Sequence, residues 1–167
     1  MLAVEDPDPD LEPVIFEDRM SDSDALMWSI EKDPMLRSPI TTAVVLERPV
    51  DPERLRRTLE RASRIIPRLR QRVRSNPLSI APPRWETDPN FDLRYHLRTA
   101  RAPGEGSMGD LLAMAGPMAM QGFDRARPLW EATVVEGLSG GRTALVLKIH
   151  HAITDGIGGV RLMLELF

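Results

Sequence analysis

The sequence predicts an α/β sandwich, a sheet of at least four strands with helices packed on it. Three observations carry this. Apolar, β-branched runs alternate along the chain with stretches of helical period. Two long apolar segments, 131–138 and 142–152, are separated only by "SGG" at Ser139, Gly140 and Gly141, and read as a hairpin. Fifteen prolines and eleven glycines cut the rest into short elements.

Taken in order, residues 1–13 ("MLAVEDPDPDLEP") are acidic and Pro-rich and read as a flexible tail, leaving 14–167 as one folded unit. Residues 19–34 form a capped helix: Ser21 or Ser23 supplies the cap, and Ala25, Leu26, Met27, Trp28 and Ile30 follow. Residues 40–50, "ITTAVVLERPV", predict a mostly buried strand. Asp51 and Pro52 start a second helix, in which Leu55, Leu59, Ala62 and Ile66 recur at one-face spacing until Pro67 ends it. Residues 68–73 predict a strand with one wet face, 75–83 a loop, and 84–87 a short strand. Residues 91–97 read as extended and 101–106 as loop. Residues 107–115 are helical, stopped or kinked by Pro117. After the hairpin, "VRLMLELF" begins another helix.

Composition removes several function classes. Net charge is −3, so nothing global argues for nucleic acid. There is no cysteine, which excludes disulfides and thiol chemistry and fits a reducing compartment. No apolar run approaches the roughly 18–20 residues of a membrane span. "GEGSMG" at 104–109 matches a dinucleotide fingerprint in letters only. It follows "RAP" and not a strand, so it reads as a loop entering a helix through Ser107.

The stretch that carries chemistry is "KIHHAITDGIGG", residues 148–159. Neighbouring side chains on a strand point to opposite faces, so His150 and His151 do not grip one metal ion. Two readings remain. One is a core histidine pair at a strand end, with Asp155 capping the next helix. The other is a site at the carboxyl end of a strand, where α/β sheets place theirs, with glycines at 156, 158 and 159 permitting close backbone approach. A neutral imidazole can take a proton from a hydroxyl. No GxSxG elbow and no cysteine accompany it, which leaves a general base acting on the substrate's own nucleophile.

"HHAITDG" matches the HHxxxDG motif of the coenzyme A-dependent acyltransferase superfamily, which includes condensation domains of peptide synthetases. Its surroundings go further. "RPLWEATVVEGLSGGRTALVLKIHHAITDG" (127–156) resembles the PLW-containing block of bacterial wax ester synthase/diacylglycerol acyltransferases. "MSDSDALMWSIE", "PRLRQRV" and "FDLRYHLR" resemble that family's earlier blocks. The resemblance runs from 16 to 167 and implies a two-layer, chloramphenicol acetyltransferase-like sandwich with a mixed sheet. It covers about the first half of such an enzyme, so the C-terminal half, which walls the far side of a tunnel, is expected to be absent.

The resemblance also implies roles. His151 is the general base, deprotonating an alcohol or diacylglycerol whose oxygen attacks a long-chain acyl-CoA thioester without a covalent acyl-enzyme. Asp155 organises the loop, Gly156 allows backbone packing at the channel, and His150 supports. Acyl-CoA enters as substrate, and no metal or bound cofactor is expected. Two alternatives stay open: an acyltransferase fed by a carrier protein, and an inactive folded half. The expected partners are the C-terminal half or a second copy. Nine arginines fall between 54 and 74, and Arg54, Arg57, Arg61 and Arg64 share a helix face. That face is either simply solvated or meets anionic lipid headgroups. A cytoplasmic location follows, with peripheral attachment at the inner membrane or lipid droplets. The Met-rich 108–120 segment reads as core before lipid groove.

Overall fold

The computed structural model describes residues 18–37, 39–75 and 81–153. Ten elements follow one another: α1 (Asp22–Ile30), β1 (Pro39–Leu46), α2 (Pro52–Ile65), β2 (Gln71–Arg74), β3 (Arg84–Thr87), α3 (Leu93–His96), β4 (Leu97–Arg101), α4 (Met108–Met120), β5 (Trp130–Leu138) and β6 (Arg142–His150). The main sheet runs β1-β6-β5-β4; β2 and β3 form a separate antiparallel pair. β1, β6 and β5 are mutually antiparallel and β4 joins β5 in parallel, so the sheet is mixed. The expected α/β sandwich is the architecture observed. The helix expected after the glycines lies outside the described residues, as does the acidic tail.

Alternation along β6 distributes the core. Ala144 and Val146 share a cluster with Val135 and with Leu111 and Ala115 of α4. Leu145, Leu147 and Ile149 face the larger core, with Leu55, Leu59 and Ala62 of α2 and with Trp28, Trp85 and Trp130. The α2 stripe is buried as its spacing requires, and Asp51 caps it by accepting from the Glu53 and Arg54 N–H groups at 3.0 and 3.2 Å.

Four expectations are corrected. β1 is half-buried, because it is the edge of the sheet. Residues 67–70 form a 3-10 turn started by Pro67, so β2 begins only at Gln71. Residues 93–96 are helical, because Asp92 caps the Arg94 N–H at 2.9 Å, and β4 extends to Arg101. α4 continues through Pro117 to Met120. Gly116 has no Cβ to clash with the proline ring, and buried Lys148 donates to the Met118 and Gln121 carbonyls at 3.3 and 3.2 Å. The 104–109 segment is the expected loop: Gly106, at φ +70°, passes so close to the Gly137 carbonyl that a Cβ would collide with it.

Candidate active site

β6 stops at His150, two residues short of the strand end expected at Ala152, and His151 opens a 3-10 turn over His151–Ile153. The two rings go to different environments. His150 is 1% exposed. Its backbone N–H donates to the Leu129 carbonyl at 3.0 Å, tying it to the "PLWE" segment. Its ring lies edge-on to Trp28, with centroids 5.7 Å apart.

The hydrogen bonds define the His150 tautomer. Nδ1 accepts from the Ala152 N–H at 3.0 Å. The proton therefore sits on Nε2, which donates to Glu31 Oε2 at 2.8 Å. Burial pushes the imidazole below its ordinary value, and the Glu31 carboxylate pulls the other way. Burial prevails, so His150 is a neutral donor.

His151 is different: its side chain is 56% exposed, and Nδ1 lies 4.0 Å from Asp24 Oδ1. Asp24 belongs to the first turn of α1 and is itself buried. Its Oδ2 accepts from the Ser21 hydroxyl at 2.6 Å, and its N–H donates to Ser21 Oγ at 3.2 Å. Asp24, Trp28 and Glu31 fall at i, i+4 and i+7, so one face of α1 supplies a partner to each histidine. Sequence reading missed Asp24 and Glu31. The signal is the D-x-x-x-W-x-x-E spacing from Asp24 to Glu31, which puts both carboxylates on the face of α1 that carries Trp28.

Asp155 and Gly156, the other expected site residues, lie outside the described residues. The "PLWE" block orders the neighbouring strand. Leu129 and Trp130 are buried, Trp130 Nε1 donates to the Leu69 carbonyl at 2.8 Å, and Glu131 pairs with Lys148 at 3.3 Å. His96, the third histidine, is fully buried between Phe91 and Trp130, and its Nδ1 donates to the Trp130 carbonyl at 2.8 Å. It is remote from solvent and belongs to the core.

The arginine block divides. Arg68 is buried against the face of Trp85, Arg70 pairs with Glu60 at 2.6 Å, and Arg72 pairs with Glu86 at 2.7 Å. Arg54, Arg57, Arg61 and Arg64 of α2 are exposed. No helix among the described residues is long and apolar enough to cross a membrane.

The mixed sheet with its packed helices has counterparts among solved structures. It superposes on the starter condensation domain of rhizomide synthetase with TM-score 0.71 and 14% identity, covering 91% of this chain and 38% of that one. It superposes on the wax ester synthase/diacylglycerol acyltransferase of Marinobacter aquaeolei VT8 with TM-score 0.67 and 23% identity, covering 86% and 36%. Both likenesses speak for the fold.

The sequence narrows this to one family. Residues 20–167 match the model of the wax ester synthase/diacylglycerol acyltransferase catalytic domain, and the chain belongs to that family. A Mycobacterium tuberculosis (strain H37Rv) protein named as a diacylglycerol O-acyltransferase is 39% identical over 150 residues, which is 90% of this chain and 30% of its own length. A second protein of that strain, named for the same activity, is 37% identical over 144 residues, 83% of this chain and 52% of its own. The chain thus spans about a third to a half of these relatives.

Proposed function

We propose that the chain carries the base-bearing half of an O-acyltransferase that moves a long-chain acyl group from acyl-CoA to an alcohol or diacylglycerol. The observation that supports this most is the contrast within the histidine pair. His151 is 56% exposed beside the buried Asp24 carboxylate, while His150 is buried with both ring nitrogens hydrogen-bonded. In the proposed reaction, His151 takes the hydroxyl proton as the alcohol oxygen attacks the thioester carbonyl. The new C–O bond forms, the C–S bond breaks, and the departing CoA sulfur receives the proton from His151. Both substrates react directly, so no acyl-enzyme and no bound cofactor takes part. His150 supports by holding the turn, Asp155 organises the loop after it, and Gly156 lets the backbone approach the channel.

The test is acyl transfer by the protein carrying this chain, with long-chain acyl-CoA or acyl-carrier protein as donor and diacylglycerol or long-chain alcohol as acceptor. Transfer from acyl-CoA to a hydroxyl supports the reading; transfer from the carrier protein alone overturns the donor assignment. The remaining wall of the site comes from the C-terminal part of the enzyme or from a second copy. α1, the turn after it and the start of β1 expose Leu26, Met35, Leu36 and Ile40, apolar surface suited to such a contact. A strictly monomeric chain that gains no partner in sedimentation argues against it.

A further inference from the structure

Capping alone leaves one oxygen of Asp24 unexplained. The exposed box at α4 shows what capping requires: Ser107 Oγ accepts from the Asp110 N–H at 3.1 Å, and Asp110 Oδ2 accepts from the Ser107 backbone N–H at 2.9 Å. Asp110 thereby closes its box onto the backbone. Asp110 Oδ2 also accepts from the Ser107 hydroxyl at 2.7 Å, so the serine contact is common to both caps, and Asp24 differs in its burial and in its second oxygen. One oxygen is held by the Ser21 hydroxyl, and the other is aimed across to the His151–Ile153 turn, 4.0 Å from His151 Nδ1. A carboxylate in the first turn of a helix sits where the dipole favours negative charge. Its burial also makes a purely decorative role expensive.

We propose that Asp24 is the positioning residue of His151: its free oxygen accepts the Nδ1 proton and so leaves the Nε2 lone pair for the substrate hydroxyl. This rests on the reading of His151 as the base. The gap of 4.0 Å is an ion-pair distance, and about an ångström of closure makes it a hydrogen bond, the kind of tightening seen when a substrate seats. The neighbouring histidine shows the same device in mirror image. Glu31, on the same helix face, holds the Nε2 proton of His150, whose Nδ1 takes the Ala152 N–H. Asp24 from α1 and His150 from β6 are among the groups that face His151, with Glu31 behind the latter. α1 thus sets two adjacent imidazoles in opposite tautomers, one for structure and one for proton transfer.

Ring-nitrogen NMR shifts of the neutral histidines, measured on the full chain, test this without any substrate. His151 signals are identified by their loss in His151→Gln. The expected result is a proton on Nδ1 of His151 and on Nε2 of His150. In Asp24→Asn the amide oxygen stays on the Ser21 hydroxyl, and the amide NH2 turns toward His151. Nδ1 then has to accept, and His151 moves to the Nε2–H tautomer while His150 keeps its own. Ser21→Ala weakens the helix cap but leaves the carboxylate, so it lowers the melting temperature without moving the tautomer. An Nε2 proton on His151 in the native chain overturns the proposal, and so does an unchanged ring in Asp24→Asn. In the protein assayed for acyl transfer, Asp24→Asn lowers kcat at least about tenfold with little change in the KM for acyl-CoA. If the tautomer moves and kcat does not, the contact stands and it is the assignment of His151 as base that fails.

Discussion

Two adjacent residues, His150 and His151, have identical side chains and opposite surroundings. The first is enclosed by Trp28, Phe123 and Glu31, with both ring nitrogens engaged. The second stands more than half exposed, with a carboxylate at one ring nitrogen. The end of β6 falls between them, so a one-residue step takes the chain from a wall of the core into a turn at the rim. The same side chain is thus set in the core at one position and at the surface at the next, with a different carboxylate of α1 beside each.

The most severe way to break this comparison is His151→Ala. On the acyltransferase reading, turnover falls by about 10²–10⁴-fold. The melting temperature stays close to that of the parent, because the side chain removed is mostly solvated. Rates near those of the parent would end the base assignment. The companion substitution, His150→Ala, acts in the other currency. It opens a void beside Trp28 and leaves the buried Glu31 oxygen and the Ala152 N–H without their partner. A loss of about 2–4 kcal/mol in urea unfolding is expected. A fully stable His150→Ala that is catalytically dead would instead move His150 into the chemistry.

Titration sharpens the contrast with a smaller effect. Burial holds the imidazoles of both His96 and His150 below the ordinary 6.5, while the unfolded chain exposes them to water. The unfolded state therefore binds protons that the folded state refuses. This contribution is fully present above 6.5 and is lost as pH falls below it. Urea midpoints followed from about pH 7.5 to about pH 5 should decline. His96→Phe, which keeps a ring between Phe91 and Trp130, should flatten part of the slope. An equally steep decline in that variant would assign the protons elsewhere.

How much of this was legible depends on whether a feature is local. The α2 stripe, its Asp51 cap and the 139–141 hairpin turn follow from spacing alone, and all formed where expected. The position of β1 at the sheet edge did not, because a β-branched run has the same letters at an edge as in the middle. The passage of α4 through Pro117 was not legible either, because the helix-breaking tendency of proline is eased here by Gly116 before it. The histidine pair was legible by motif and family likeness, including the separation of its rings. Its partners were not: Glu31 lies 119 residues from His150 in sequence, and only the packing of α1 against the end of β6 joins them.

The arginines repeat the same division on a surface scale, and here the expected effect is smallest. Arg68, Arg70 and Arg72 are committed to Trp85, Glu60 and Glu86. On α2, Glu53 neutralises Arg56 and Glu60 neutralises Arg64, whereas no carboxylate among the described residues lies within ion-pair reach of Arg57 or Arg61. If the exposed set serves a lipid surface, each well-placed arginine contributes about 1 kcal/mol of attraction to an anionic bilayer. Arg57→Glu with Arg61→Glu should then weaken binding to phosphatidylglycerol vesicles at low salt, with stability changed by no more than about 0.5 kcal/mol per site. Raising the salt should erase the difference, since these charges are fully wet and screening reaches them. Equal binding by parent and double variant at low salt would leave the face as solvated surface. The committed arginines supply the control: Arg72→Glu sets like charges against Glu86 and should be read in unfolding, not in vesicle binding.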